Sequence, residues 1–243
     1  MSDNYIILAS WKSQNSNGVD TSRFTMNFPS PIQLDPVYDY ELAFDSLESY
    51  YSFPNVVDGK NNKFAYTKNG TQTILSLPTG CYNLEDINST MKTLLGADKD
   101  NITIQSVQPE LKSLITIQPN FTVDFTVPNS INTILGFNSK VLSPGTTKSD
   151  NIVNIHKTNT IFVNCDLVSN SFFNGVNQNV IHSFFPNVDP GFKIVETAPR
   201  LSFLPIKNKS ISSIILSLTN QDGEFIDFRG DVVSIRMQLR RIR

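Results

Sequence analysis

An all-β sandwich interrupted by one small α+β region is predicted by three observations on this 243-residue sequence. Apolar and polar residues alternate along stretches from one end to the other, the period of a half-buried strand. Prolines and turn-forming pairs punctuate those stretches. A single segment switches to helical spacing.

Taken in order, Phe24, Met26 and Phe28 alternate with Arg23, Thr25 and Asn27, and Tyr40, Leu42 and Phe44 alternate with Glu41, Ala43 and Asp45. Pro29, Pro31 and Pro36 lie between these two runs, where a loop avoids interrupting a hydrogen-bond ladder. Asn69-Gly70 separates residues 63–67 from 72–77 and supplies the two positive φ angles of a tight hairpin. Asn83 then reads as an N-cap with Asp86 three residues on, and Leu84, Ile87, Met91, Leu94 and Leu95 mark one helical face ending at Gly96. Strands are predicted at residues 102–107, 114–117 and 121–126, followed by a turn over 130–135.

Ile161, Val163, Cys165 and Leu167 restore the period of two, as do Ile214, Leu216 and Leu218. Asp222-Gly223 marks a turn between the last two long strands. In the final strand Val233, Ile235, Met237 and Leu239 are predicted to face a core, with Ser234, Arg236, Gln238 and Arg240 outward.

Two domain organisations fit this order. Either residues about 60–140 form an insertion in one domain spanning 1–243, with the chain returning at 143–150, or 1–145 and 146–243 are two domains. The insertion is favoured because residues 22–50 supply only two long strands, too few to close a sandwich without partners from the C-terminal half.

The composition is 39% hydrophobic and 17% charged with a formal charge of −2. Such a balance argues against whole-molecule attraction to nucleic acid, so any such contact is local. Cys81 and Cys165 lie far apart without a zinc-binding spacing, and read as small buried thiols. The apolar run at residues 5–9 lacks a preceding basic segment and is followed by Trp11-Lys12, which does not fit a signal peptide. The expectation is a protein made inside the cell, with the sequons at Asn69, Asn88, Asn101, Asn120 and Asn208 reflecting abundant Asn.

Catalytic signatures are missing. His156 and His182 are the only histidines, each read as satisfied or solvent-facing. The carboxylates Asp222, Glu224 and Asp227 sit at a turn, where Asp favours the turn itself. No enzyme activity, metal or organic cofactor is expected. The aromatic pairs Phe172-Phe173, Phe184-Phe185 and Tyr50-Tyr51 place neighbours on opposite faces of an extended chain. Either they tuck loops under the sandwich, or Phe172, Phe173, Phe184 and Phe185 form a subunit interface.

Three segments also match a known pattern in order. They are FTMNFPSPIQLDPVYDYELAF (residues 24–44), LPTGCYNLEDI (77–87) and PRLSFLPIKNKSISSIILSLTNQDGEFIDFRGDVVSIRMQLRR (199–241). In this the chain resembles the minor capsid, or penton, proteins of Polinton/Maverick-type DNA elements and their adintovirus and virophage relatives. The resemblance implies a single jelly roll, five copies of which close an icosahedral vertex beside a double-jelly-roll major capsid protein, with the protein residing in the virion and not in a membrane. The alternative is a jelly-roll binding module, lectin-like or a receptor-binding tip.

In the jelly roll so implied, the first and last strands pair antiparallel, which predicts Arg240 near Ser22 and the C-terminus on the inner side of the shell. Arg236, Arg240, Arg241 and Arg243 are then a candidate basic patch for packaged DNA or an acidic partner; the other reading is that Arg236 and Arg240 solvate the last strand's outer face.

Overall fold

The computed structural model describes residues 4–16, 19–155, 158–169 and 171–242, with the backbone alone for residues 14–16 and 19–21. The chain divides into two compact units, one made of Met1–Phe53 with Thr158–Arg243 and the other of Pro54–Lys157.

The discontinuous unit starts with β1 (Asn4–Lys12), the short β2 (Gln14–Ser16) and β3 (Val19–Thr21), β4 (Arg23–Gln33) and β5 (Tyr40–Tyr50). The continuous unit holds β6 (Lys63–Lys68), β7 (Thr71–Ser76), α1 (Leu84–Leu95), β8 (Ile102–Val107), β9 (Lys112–Ile117), β10 (Phe121–Asp124), β11 (Val141–Leu142) and β12 (Gly145–Lys148). The chain then adds β13 (Ile161–Cys165), β14 (Ser171–Phe173), β15 (Val176–Gln178), β16 (Val180–Phe184), β17 (Lys193–Thr197), β18 (Leu204–Ile206), β19 (Ser210–Thr219) and β20 (Val232–Arg241).

In the discontinuous unit one sheet runs β1-β20-β5-β17, with β18 also on β5, and the other runs β16-β13-β19-β4. Counting β17 and β18 as one broken strand, the strands of the two sheets taken in chain order stand as 1-8-3-6 and 5-4-7-2. This is the strand order of a jelly roll. Every pairing within the two sheets is antiparallel. The inward faces meet in one core: Leu42, Phe44, Ile161, Val163, Leu216, Ile235 and Leu239 are buried in it, and Phe24 and Phe28 pack against it half-buried.

Three expectations are corrected here. The strand pairing with β20 is β1, so Arg240 lies opposite Asn4. Ser22 instead accepts from Ile226 N and bonds to Leu218 O at 2.5 Å, beside the turn from which β20 departs. Second, β4 continues through Pro29 and Pro31, which is possible because it is an edge strand whose missing N–H groups interrupt no ladder. Third, β19 and β20 belong to different sheets, so Asp222-Gly223 folds the chain back only through a short antiparallel return, Thr219 bridging Phe225 and Ile226 N donating to Leu218 O at 3.1 Å, before it crosses to β20. Only Gly223 of that pair has positive φ, and the Asn220 Oδ1 atom holds the turn by accepting from the N–H groups of Asp222 and Glu224, both at 2.9 Å.

The continuous unit has a four-stranded sheet, β11-β10-β6-β7, and a three-stranded one, β12-β9-β8. Asn69 and Gly70 both have positive φ between β6 and β7, as their hairpin requires. Helix α1 begins in a capping box: Asn83 Oδ1 accepts from Asp86 N at 2.8 Å and Asp86 Oδ2 from Asn83 N at 3.2 Å. Its Leu84, Ile87, Met91 and Leu95 join Ile104, Ile115, Val123, Phe125 and Phe137 in a second core, while Leu94, read as part of that face, is exposed. The stretch read as the returning loop, residues 143–150, contains β12, which pairs with β9 inside this unit.

Candidate assembly surface

The outer face of the β1-β20-β5-β17 sheet carries two of the arginines singled out in the sequence, Arg236 and Arg240. Arg236 Nε lies 3.1 Å from Asp45 Oδ2, and Gln238 donates to the same oxygen at 2.9 Å. Arg240 donates from Nε and Nη2 to Glu41 Oε2, at 3.0 and 2.9 Å, and its guanidinium lies over the Phe203 ring at 3.4 Å. The Arg241 guanidinium sits 4.1 Å over the Tyr38 ring, and Arg243 lies outside the described residues. A further rung joins Lys193 to Glu48 at 2.5 Å. Solvent-exposed pairs of this kind contribute about 0–1 kcal/mol each. Their effect on chemistry is larger, because a phosphate approaching Arg236 or Arg240 meets a carboxylate already in place.

These pairings follow from register. β5 lies antiparallel against β20 with Arg240 opposite Glu41 and Arg236 opposite Ser46, next to Asp45. Alternation sends these side chains outward together, but their separation in sequence hides them as partners.

The aromatic doublets divide. Phe184 is 7% exposed and belongs to the core, so its side chain faces no subunit surface, whereas Phe185 points out. Phe172 is exposed on the β14–β15 hairpin, and Phe173 meets Phe162 edge-on at 4.8 Å. Tyr51 is buried and Tyr50 exposed, the opposite-face placement expected of an extended pair.

The His182 ring stacks on Phe44 at 4.2 Å, with its Nε2 atom 2.9 Å from Glu196 Oε1; His156 lies outside the described residues. Glu224 accepts from Asn220 at the Asp222-Gly223 turn, and Asp227 Oδ1 accepts from Arg229 N at 2.7 Å in the turn that follows, so each serves a turn. Among the described residues no group of three or more His, Cys, Asp or Glu is placed to hold a metal, and no helix is long and apolar enough to cross a membrane.

Cys165 is fully buried, and burial pushes its thiol up to about 12. Cys81 is only half-buried, unlike the sequence expectation. Because thiolate is the reacting species, native protein treated with iodoacetamide at pH 8 is expected to spare Cys165 and to alkylate it once unfolded in urea. Mass spectrometry of the tryptic peptides checks this; rapid native labelling of Cys165 would show that the strand opens.

No protein-family model matches the sequence, and no curated protein matches it. Among solved structures, the chain is similar to the penton protein of mavirus, known from a crystal structure of its selenomethionine-labelled form. The superposition has a TM-score of 0.52 and 11% sequence identity, and covers 99% of this chain and 100% of that one. At this identity the likeness is one of fold, and it supports the jelly roll that the strand order defines.

Proposed function

We propose that this chain is the vertex subunit of an icosahedral capsid, five copies closing a ring, and that it belongs with the penton proteins of Polinton/Maverick-type elements and their virophage relatives. The observation that carries this reading is the end-to-end likeness in fold to a penton protein, which spans both compact units and not the sandwich alone. In this reading residues 54–157 are a domain inserted in a single jelly-roll subunit, between β5 and β13. The work of such a protein is heterologous association repeated around an axis until it closes. Its further partner is a double-jelly-roll major capsid protein, and its location the virion.

Two features favour an assembly role over a catalytic one. Large apolar side chains, among them Ile6, Leu8, Phe172, Phe185 and Phe192, stand exposed around the sandwich. The acidic and basic groups described above are held in turns and ion pairs. Native mass spectrometry is expected to find a species of five times 27.2 kDa, alone or with the major capsid protein. A strict monomer under both conditions would favour a jelly-roll binding module.

A further inference from the structure

A sheet edge presents unpaired N–H and C=O groups, and proteins blunt such edges with proline, bulges, short strands or covering segments. Three edges of this sandwich are blunted. β4 carries Pro29 and Pro31 and shifts register against β19. β16 is short, shifts register against β13, and receives a bond from the neighbouring hairpin, Ser171 Oγ accepting from Val180 N at 3.0 Å. β17 and β18 are short, separate strands, with Pro205 in the second.

Among the described residues β1 has none of these devices. Its nine residues lack proline and keep unbroken register with β20 from Asn4 to Lys12. Its outward side chains include Ile6 and Leu8, 60% and 69% exposed. At the opposite edge of the same sheet Tyr50, Phe192 and Val195 are exposed as well. Tyr50 stands opposite Lys193 in register, two residues from Val195 on the same outer face, and Phe192 O accepts from Tyr51 N at 2.9 Å.

Charge divides along the same line. On the outer face β1 and β20 carry Lys12, Arg236 and Arg240 and no carboxylate. On that face β5 and β17 carry Glu41, Asp45 and Glu48 against the single cation Lys193, while Glu196 turns inward to His182. Since Arg236 and Arg240 already pair within the chain, this polarity acts as a field that orients an encounter more than as a set of new contacts. A patch that meets its own copy across a two-fold axis faces like charge; two unlike edges of opposite sign suit a head-to-tail contact.

We propose that the β1 edge of one copy docks head to tail on the β17 edge of the next, Ile6 and Leu8 packing against Tyr50, Phe192 and Val195. This rests on the self-assembly reading above and specifies its surfaces. Leu8→Glu and Val195→Lys test it. Each places the new charge opposite a counter-charge of its own chain, Arg236 and Glu48 respectively, and so preserves the fold, while repelling the proposed partner edge.

By native mass spectrometry and sedimentation, with folding checked by thermal melting, each variant alone is expected to associate on the order of 100-fold more weakly than wild type. Mixing the two is expected to restore 1:1 association, because each retains one intact edge. Leu8→Ser and Val195→Ser, which only remove apolar area, replace any charge variant that unfolds. A wild-type oligomer that persists in both variants, or one lost only in the β1 variant, overturns this inference alone. A wild type that never self-associates overturns it together with the reading on which it rests.

Discussion

An Ile235→Asp chain is expected to be lost from the soluble fraction, whereas Val232→Asp, three residues earlier on the same strand, folds. Ile235 is 1% exposed on β20, between Ala9 of β1 and Leu47 of β5, so it has neighbours on both sides as well as the core beneath it. Truncating a buried Ile costs about 2–5 kcal/mol in lost transfer energy and cavity. Burying an unpaired carboxylate adds several kcal/mol more, unless it takes up a proton. Domains are stable by only about 5–15 kcal/mol, so the two costs together are comparable to the whole. Val232 is exposed and opposite Lys12, where an added carboxylate gains a cross-strand partner. Soluble yield and circular dichroism of the two variants check the pair of outcomes; a well-folded Ile235→Asp protein would show that the strand's faces are assigned wrongly.

The legibility of β20 has a simple cause: Val233, Ile235, Met237 and Leu239 alternate with Ser, Arg, Gln and Arg, so both faces declare themselves. β1 is the contrary case. Tyr5, Ile6, Ile7, Leu8 and Ala9 form a continuous apolar run, and the period of two is invisible because the outward Ile6 and Leu8 are as apolar as the inward Ile7 and Ala9. A strand whose outer face is apolar does not look amphipathic, and the same property makes it an assembly surface. Helix α1 was legible to the residue at its start, because its cap is a local bond between Asn83 and Asp86.

What sequence reasoning missed was set by long-range pairing. Nothing near Arg240 points to Glu41 or Phe203, and nothing near Phe184 distinguishes it from Phe185 until β16 is placed against β13. The returning loop was misplaced for a similar reason. Residues 145–148 are turn-like in composition, yet they pair with β9.

Gly136→Ala is expected to be the most damaging single-methyl change in the continuous unit. Gly136 has φ +79°, in a region where an L-residue is disfavoured by about 1–2 kcal/mol. Space is the larger obstacle. A Cβ there would stand 2.4 Å from Asn151 O and 2.8 Å from Ile152 O, both main-chain atoms. That segment has little room to retreat, because Asn151 N donates to Gly136 O at 2.8 Å and Asn154 N to Ile134 O at 2.9 Å. The flanking Leu135 and Phe137 are buried in the second core, so movement of the glycine's own turn disturbs packing as well. Overpacking adds about 1–3 kcal/mol, which brings the total to roughly 2–5 kcal/mol. For a unit of this size each kcal/mol lowers Tm by about 4–8 °C, so the transition that unfolds this unit is expected to fall by about eight degrees or more. Gly59→Ala is the matched control: Gly59 has φ +72° in the same unit, but a Cβ there meets nothing within 4 Å, so it carries the backbone term alone. Calorimetry of the two variants separates steric crowding from backbone strain. Equal shifts would mean that the 151–152 segment yields freely and does not brace the Gly136 turn.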